Sequence, residues 1–229
     1  MILLRSKQLD ANATWQQAVR HFAASLADNL GKTFEETSFS LADTDEICQN
    51  KAADMVVFTC YNSGRDIQQV LNACRNLRIP YLILTPQMQV QAIKSSDNID
   101  IPITMFEEEL SKAQIATALG RFCGTHTTLI QANDYGTRAE KNVGKISTLI
   151  DKFNLPYTIT KGKKDSYGVE LESAVSRQSD NTSLLVITAS RDYGMDDIIF
   201  GPKERKIIKR AAIPVLLLNP RGDLYSLCD

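Results

Sequence analysis

The chain has 229 residues and a formal net charge of −1, with 43% hydrophobic and 23% charged residues. This composition is ordinary for a globular protein, and so small a net charge gives no general attraction to nucleic acids or acidic membranes. No apolar run approaches the roughly 18 residues that a membrane-spanning helix needs, and the start of the chain lacks the basic and apolar regions of a secretory signal. We therefore predict a soluble cytoplasmic protein without membrane insertion or a nucleic-acid partner.

Strand and helix patterns alternate through the first half of the chain. Apolar residues recur at helical spacing from Trp15 to Leu30, with Thr14 as the predicted N-cap and Gly31 as the C-terminal stop. The polar stretch 87–100 is predicted to be a linker. The other predicted elements are strands at 1–6, 33–39, 54–59 and 81–85, and helices at 43–52 and 65–77.

The second half continues the alternation. Val143, Ile146, Ile150 and Phe153 recur with the period of a helix. Short apolar runs without polar alternation, separated by helices, are typical of parallel strands covered on both faces, so the pattern predicts an α/β fold. The other predicted elements are strands at 103–108, 127–133, 156–162, 183–189 and 214–219, and helices at 110–123, 167–178 and 203–211.

The chain also repeats itself. The segment DMVVFTCYNSG (54–64) matches SLLVITASRDYG (183–194), and RIPYLILTP (78–86) matches AIPVLLLNP (212–220) in one register. A repeated unit of this length indicates a duplication. The second pair of segments are apolar strands of the kind that can lie at sheet edges, and exposed apolar edges invite pairing. We therefore expect them to pair with each other inside the chain or with a second chain.

The five cysteines and two histidines do not form a metal or disulfide pattern. The cysteine count is odd, no CxxC occurs, and neither histidine lies near a cysteine. Structural zinc sites need closely spaced pairs of such ligands. The sequence therefore predicts neither a metal site nor a disulfide framework.

The segment LLVITASRDYGMDDIIFGPKERKIIKRAAIPVLLLNP (184–220) resembles the universal stress protein family, whose members have a strand, a glycine-rich loop, a helix and a final strand in this order. The likeness covers 101–220 well and 1–86 as a shortened copy, which implies the tandem form of the family. It implies two domains, 1–86 and 101–229, joined by the linker. Each is expected to form an open parallel five-stranded sheet of the Rossmann-like, adenine nucleotide alpha hydrolase type, with the first copy shortened. The resemblance also implies pairing through the last strand, as a homodimer or as a pseudo-dimer inside the chain.

The family resemblance implies a nucleotide site, in which loop glycines let backbone N–H groups approach phosphate oxygens at a helix N-terminus. The family pattern is G-x2-G-x9-G-(S/T). With Gly201 as its last glycine, Thr188 and Arg191 stand at the first two glycine positions and Pro202 at the hydroxyl position. Gly194 matches a further family glycine. The predicted site is therefore degenerate.

A carboxylate at the end of the first strand of each domain also belongs to the family pattern. In the second domain the segment FEEEL offers Glu107 or Glu108 there, and in the first domain MILLRSKQ offers none. The first domain keeps only Gly64 of the loop. The basic segment 203–210 is predicted to be a solvated helix face. The candidate nucleotide-site residues are Glu107, Thr188, Ser190, Gly194, Gly201 and Lys203.

These observations predict a non-catalytic stress-response protein that holds no cofactor and acts by binding an unidentified protein partner or by self-association. The alternative is a regulatory sensor that binds ATP or AMP with Mg through the second domain, with weak hydrolysis. No nucleophile elbow, P-loop or zinc-protease motif is present. A small-molecule enzyme at the strand ends rests on fold analogy alone.

Overall fold

The computed structural model describes residues 1–6, 13–61, 64–176, 181–189 and 202–220. The strands are β1 (Ile2–Arg5), β2 (Phe34–Thr37), β3 (Met55–Thr59), β4 (Tyr81–Leu84), β5 (Asn98–Ile103), β6 (His126–Gln131), β7 (Tyr157–Lys161), β8 (Thr182–Thr188) and β9 (Val215–Leu218). The helices are α1 (Ala13–Asn29), α2 (Thr44–Asn50), α3 (Arg65–Ala73), α4 (Lys112–Cys123), α5 (Arg138–Asp151), α6 (Val169–Val175) and α7 (Lys203–Arg210). None of these helices is long and apolar enough to cross a bilayer.

All nine strands belong to one sheet, in the order β2-β1-β3-β4-β9-β8-β5-β6-β7. Neighbouring strands run parallel except at the centre, where β4 and β9 are antiparallel and pair Leu82 with Leu216. The two separate sheets predicted from the sequence are therefore replaced by a single sheet. The physical reason is that both of these strands are apolar and buried along their whole length, so each covers the edge that the other would expose. The edge strands that we expected to pair do so inside one chain.

The repeated segments occupy equivalent positions on the two sides of this central pair. Thr59 ends β3 and is paired with Leu84 of β4. Thr188 ends β8 and is paired with Leu218 of β9. The two copies therefore share not only their sequence pattern but also the register between their last two strands.

The first half is a shortened version of the second. The second half has the strand order β7-β6-β5-β8-β9, and the first has β2-β1-β3-β4. Among the described residues, β1, β2, β3 and β4 correspond to β5, β6, β8 and β9, and no element corresponds to α5 or β7. In each half the chain reverses its direction of travel across the sheet once, between β1 and β3 and between β5 and β8. We call these two positions the first and second switch points.

Helices cover both faces of the sheet. One face carries α1, α4 and α5, and its core joins side chains from both halves, such as Phe22 and Leu26 with Ile146 and Ile150. The other face carries α2, α3, α6 and α7 over a second core. Because each core draws on both halves, burial of apolar surface holds the two copies to each other as well as stabilising each one.

Some element boundaries differ from those predicted. The first helix already begins at Ala13, so Thr14 lies within its first turn, whereas Gly31 adopts a left-handed φ of 63° just after the helix end, as a C-terminal stop requires. Strand β5 begins at Asn98, inside the predicted linker, and ends at Ile103. Its polar residues are typical of a linker, so the sequence did not predict a strand there. In the structure the Asn98 side chain donates to Asp100 Oδ1 at 2.7 Å, so these groups are satisfied inside the sheet.

Candidate functional site

Open parallel sheets bind ligands beyond the carboxyl ends of their strands, at the point where the strand order reverses. In the second half this is the crevice beyond β5 and β8, which the family resemblance also assigns to a nucleotide. The structure places four charged side chains at this crevice, Glu109, Lys112, Glu170 and Lys203. We call them the switch-point network. Glu109, Lys112 and Glu170 are buried, and Lys203 is partly buried.

Lys112 is the centre of the network. It is the first residue of α4, and its ammonium donates to Glu109 Oε2 at 2.6 Å and to the carbonyl oxygen of Pro102 in β5, also at 2.6 Å. A Glu170 carboxylate oxygen lies 3.5 Å from the same ammonium. The fully buried cation therefore meets two carboxylates and a carbonyl, which supply the compensation that a buried charge requires.

Glu109 lies in a short 3₁₀ helix, Glu107–Ser111, that follows β5. Its spacing of three residues from Lys112 places both side chains on one side of this turn. Glu109 Oε2 also accepts a hydrogen bond of 3.3 Å from the backbone N–H of Thr104, directly after β5. The end of the strand is thus closed by an internal ion pair.

Glu170 links the network to the other half of the crevice. It lies in the first turn of α6, and its Oε1 accepts a hydrogen bond of 3.4 Å from the backbone N–H of Thr188 at the end of β8. Its Oε2 lies 2.9 Å from the Lys203 ammonium at the start of α7. One carboxylate therefore joins β8, α6 and α7.

The electrostatics of the network hold Glu170 and Lys203 in their charged forms. Burial alone raises the pKa of Glu170, but Lys203, Lys112 and the Thr188 N–H together outweigh it, and the net pKa lies below its ordinary value. Burial likewise lowers the pKa of Lys203, but Glu170, Glu204 and Glu109 outweigh it, and the net pKa is raised. Each charge is stabilised by its partners rather than by water.

The charge balance of the crevice opposes a phosphate group. Glu204, the neighbour of Lys203 in α7, is also fully buried and acts electrostatically on that lysine. An arriving phosphate would therefore meet three carboxylates and two ammonium groups that are already bonded. In a region of low dielectric such like-charge contacts are costly.

The structure brings together two of the six predicted site residues, Thr188 and Lys203, through Glu170. Glu107 is exposed in the 3₁₀ helix, and the buried carboxylate at this strand end is Glu109 instead. Lys203 is not part of a solvated helix face, because it turns toward Glu170. The other three candidates, Ser190, Gly194 and Gly201, lie outside the described residues.

Pro202 is the N-cap of α7, with an extended ψ of 149°. It supplies no hydroxyl or N–H there. The buried Thr188 hydroxyl oxygen has no hydrogen-bond partner among the described residues.

Sequence reasoning missed Glu109, Lys112 and Glu170. The available signal was weak: Glu109 and Lys112 have the i, i+3 spacing of a helical ion pair, and Glu170 stands in the first turn of a predicted helix, where acidic residues are common. Neither pattern distinguishes a solvated pair from a buried one. Only the packing of α4, α6 and α7 around the strand ends removes these groups from water.

The crevice is further closed by the loop that follows β7. The Ser166 hydroxyl accepts a hydrogen bond of 2.8 Å from the Met105 backbone N–H and is itself bonded to the Asp134 carboxylate. The Asn142 amide of α5 donates to the carbonyl oxygens of Thr104 and Phe106 at 2.9 and 2.8 Å. Backbone groups just beyond β5 are therefore already bonded to protein groups.

The first switch point, beyond β1 and β3, has a different content. It holds a cavity of about 30 Å³, the space of about one water molecule, lined by residues that include Arg5, Gln16 and Tyr61. The Arg5 Nε donates to the Phe39 carbonyl oxygen at 2.9 Å, and the Gln16 amide donates to the Tyr61 hydroxyl at 3.0 Å.

The first-half loop keeps Gly64 at the start of α3. Its φ of −100° is open to any residue, and a Cβ there would lie 3.3 Å from an Arg205 guanidinium nitrogen of α7, the flexible end of that side chain.

Thiol and metal chemistry have little support in the described part of the chain. Its four cysteines, Cys48, Cys60, Cys74 and Cys123, are free and buried. Burial raises the pKa of Cys48 and of Cys123 to about 11, and the pKa of Cys74 well above its ordinary value. These thiols are therefore protonated and unreactive near neutral pH. No group of three or more His, Cys, Asp or Glu residues in the described ranges is placed to hold a metal ion.

Comparison with known proteins gives a result at the level of structure only. No family model matches the sequence, and no curated protein matches it. A universal stress protein from Archaeoglobus fulgidus superposes with a TM-score of 0.60 and 13% identity, covering 95% of this chain and 82% of that one. A candidate universal stress protein from Pseudomonas aeruginosa superposes with a TM-score of 0.55 and 12% identity, covering 98% of this chain and 84% of that one. A protein of unknown function from the same species superposes with a TM-score of 0.57 and 12% identity, covering 99% of this chain and 94% of that one.

These superpositions extend through both halves of the chain and through most of each matched chain. At 12 to 13% identity they report the fold and carry no residue roles. The chain therefore has the fold of the universal stress proteins.

Proposed function

We propose that the chain is a non-catalytic protein of the universal stress type whose nucleotide site is degenerate, and that it acts through a protein partner or through self-association. The switch-point network is the observation that carries this proposal. It occupies the crevice where the fold would place a nucleotide, and its bonds are internal.

Admitting a triphosphate would require the network to open. The Lys112 ammonium would have to leave Glu109 or Glu170, and Lys203 would have to leave Glu170. Breaking a buried pair without replacing its charge costs about 3–5 kcal/mol. A micromolar ligand has about 8 kcal/mol of binding free energy in total. The cost of opening is therefore a large fraction of what a nucleotide could recover.

Native mass spectrometry of the full chain tests the absence of nucleotide binding. We expect the protein as purified to show its apo mass, and to acquire no stoichiometric adduct when Mg-ATP or AMP is added. A retained adenine nucleotide, or one bound stoichiometrically at micromolar affinity, would contradict the proposal and support the sensor alternative.

Two lysine variants test whether any nucleotide that binds does so at the crevice. Lys203→Met changes the network, whereas Lys209→Met changes an exposed lysine of the same helix. If an adduct forms and only Lys203→Met removes it, the nucleotide uses the switch point. If an adduct forms and both variants keep it, Lys203 takes no part in holding it. Sedimentation velocity of the same samples measures the oligomeric state, on which the proposed self-association depends.

A further inference from the structure

The face that carries α1, α4 and α5 has an open apolar groove between α4 and α5. The groove has a volume of about 290 Å³. Its floor is formed by the small side chains of α4, among them Thr117 and Ala118, and its walls by Phe122, Leu149 and Phe153. We call it the α4–α5 groove. It lies on a helical face, and no residue of the switch-point network lines it.

Three large apolar side chains line the groove without being covered. The exposed fractions are 53% for Phe122, 45% for Phe153 and 37% for Leu149. The helical period of α5 predicted that Phe153 would point into the core with Val143 and Ile146, but the helix ends at Asp151 and Phe153 lies in the turn after it. Clustered exposed apolar groups of this size mark interaction surfaces.

Arg121 orders the two aromatic walls. Its guanidinium carbon lies 5.3 Å from the centre of the Phe122 ring and 4.9 Å from the centre of the Phe153 ring. Both distances are within the range of cation–π attraction, so one exposed cation holds both rings. Arginine and aromatic side chains that are already positioned are the groups that dominate binding at protein interfaces.

The dimensions of the groove suit a helix. Its lining runs along α4 from Ala113 to Phe122, which at 1.5 Å per residue is a length of about 14 Å. A helix that inserts side chains at positions i, i+3 or i+4, and i+7 needs about 10.5 Å. The small side chains on the floor allow the backbone of such a helix to approach closely.

The charges beside the groove select an acidic partner. Lys141, Lys145 and Leu149 lie at i, i+4 and i+8 on α5, so the two exposed lysines continue the row of groove residues. Arg121 adds a third cation, and no carboxylate lines the groove among the described residues. The acidic residues of α5 lie on another row, where Asp151 accepts a hydrogen bond from the Tyr157 hydroxyl.

We propose that the α4–α5 groove docks an acidic amphipathic helix of a partner protein, with apolar side chains between Phe122 and Phe153 and carboxylates facing Arg121, Lys145 and Lys141. This proposal rests on the proposed function, because it names the kind of partner through which the protein acts. Charge complementarity distinguishes this occupant from a second copy, since a helix with the same basic face would be repelled.

The test uses two synthetic peptides of about 18 residues, which differ only in charge. Both carry Leu at the i, i+3, i+4 and i+7 positions of each repeat, and the remaining positions are Glu and Ala in one peptide and Lys and Ala in the other. Each is labelled with a fluorophore and titrated with the full chain, and its anisotropy is measured at two salt concentrations. We expect the Glu peptide to bind about tenfold more tightly than the Lys peptide, and to weaken with salt.

Matched variants test whether the Glu peptide binds in the groove. Phe153→Ser is compared with Tyr167→Ser, because Tyr167 is an exposed aromatic residue that does not line the groove. Lys145→Glu is compared with Lys163→Glu, an exposed lysine in the loop after β7. We expect the groove variants to weaken the Glu peptide about tenfold and about fivefold respectively, and the controls to leave its affinity unchanged. Far-UV circular dichroism checks that each variant is folded.

Equal binding of the two peptides, or no effect of Phe153→Ser, would overturn the proposal. So would a wild-type dimer that Phe153→Ser dissociates in sedimentation velocity, because the occupant would then be a second copy. Peptide binding is measured without nucleotide, so its failure leaves the mass-spectrometric result standing. Conversely, a nucleotide adduct would contradict the proposed function without changing the peptide affinities.

Discussion

The two switch points occupy equivalent places in a duplicated sheet, but different chemistry closes them. Beyond β1 and β3 the space is about 30 Å³ and is bordered by partly exposed groups such as Arg5, Gln16 and Tyr61. Beyond β5 and β8 lie charged side chains, of which Glu109, Lys112 and Glu170 are fully or almost fully buried. The duplication has kept the backbone framework and the strand register, while the side chains at the two crevices have diverged.

This difference also determines how much the interactions at each crevice contribute to the stability of the protein. Groups at the first switch point keep access to water, so each of their interactions contributes little. Groups at the second have lost water and depend on one another, so the loss of one leaves a charge without compensation. Substitutions in each half test whether the groups at the second switch point contribute more to stability than those at the first.

Lys112→Met is expected to have the largest effect. It leaves Glu109 and Glu170 buried without the ammonium that bonds both, and we expect the free energy of unfolding to fall by about 3–5 kcal/mol. Urea unfolding followed by circular dichroism measures this quantity. Lys145→Met, at an exposed lysine of α5, is the matched control and is expected to change it by less than about 0.5 kcal/mol. Equal losses for the two variants would contradict the buried network.

Ile146→Ala tests whether the two halves form one cooperative unit. Ile146 belongs to the core shared by α1, α4 and α5, and its truncation is expected to cost about 2–5 kcal/mol. The chain has a single tryptophan, Trp15, which lies in the first half. We expect the Trp15 fluorescence transition in urea to move by the same amount as the circular dichroism transition.

A smaller shift is expected for Leu149→Ala, since Leu149 lies on the same helix but is partly exposed. If Ile146→Ala left the Trp15 transition in place, the halves would unfold independently. The single sheet would then hold two separately stable domains.

The acid dependence of stability reports Glu170. Because its folded-state pKa is lowered, its charged form stabilises the native state above its ordinary value of 4.5, and this stabilisation is lost as the pH falls through the lower folded-state pKa. We expect Glu170→Gln to be less stable than the wild type at pH 7 and to lose stability less steeply as the pH falls below about 4.5.

The measurement is the free energy of unfolding in urea at a series of pH values. Glu172→Gln is a control two residues away on α6. Parallel curves for Glu170→Gln and the wild type would mean that Glu170 does not titrate with a lowered pKa.

The smallest effect is expected at the first switch point. Gln16→Ala removes the hydrogen bond to the Tyr61 hydroxyl, which is partly exposed, and we expect a loss of about 1 kcal/mol in the urea unfolding free energy. Gln17→Ala, at the exposed neighbouring position of α1, is expected to lie within about 0.5 kcal/mol of the wild type. A loss at Gln16 as large as that at Lys112 would remove the contrast between the two crevices.

Much of the architecture could be predicted because it depends on local pattern. The apolar runs marked the strands with small boundary errors, and the repeat of 54–64 in 183–194 identified the duplication. The exception was β5, whose Asn98 and Asp100 have the composition of a linker. Those residues form a strand because β6 and β8 pair with them on both sides, which is a tertiary effect.

The content of the candidate site could be predicted only in part. The broken glycine pattern predicts a degenerate nucleotide site, which stays a prediction, whereas Thr188 and Lys203 do lie together at the second switch point. However, the sequence predicted Glu107 or Glu108 at this position rather than Glu109, because nothing in the sequence distinguishes the directions of three adjacent glutamate side chains before the turn after β5 is formed. The turn directs Glu109 toward Lys112 and leaves Glu107 in water.

The sequence by itself determined the alternation of helix and strand, the duplication and the apolar character of the two edge strands, since each depends on residue type and spacing along a few turns. The tertiary structure alone decided that the halves share one sheet, because strand pairing depends on which edges meet. It also decided which charges are buried. Burial arises from packing between segments far apart in the chain, and α4, α6 and α7 meet at the second switch point only after the sheet has formed.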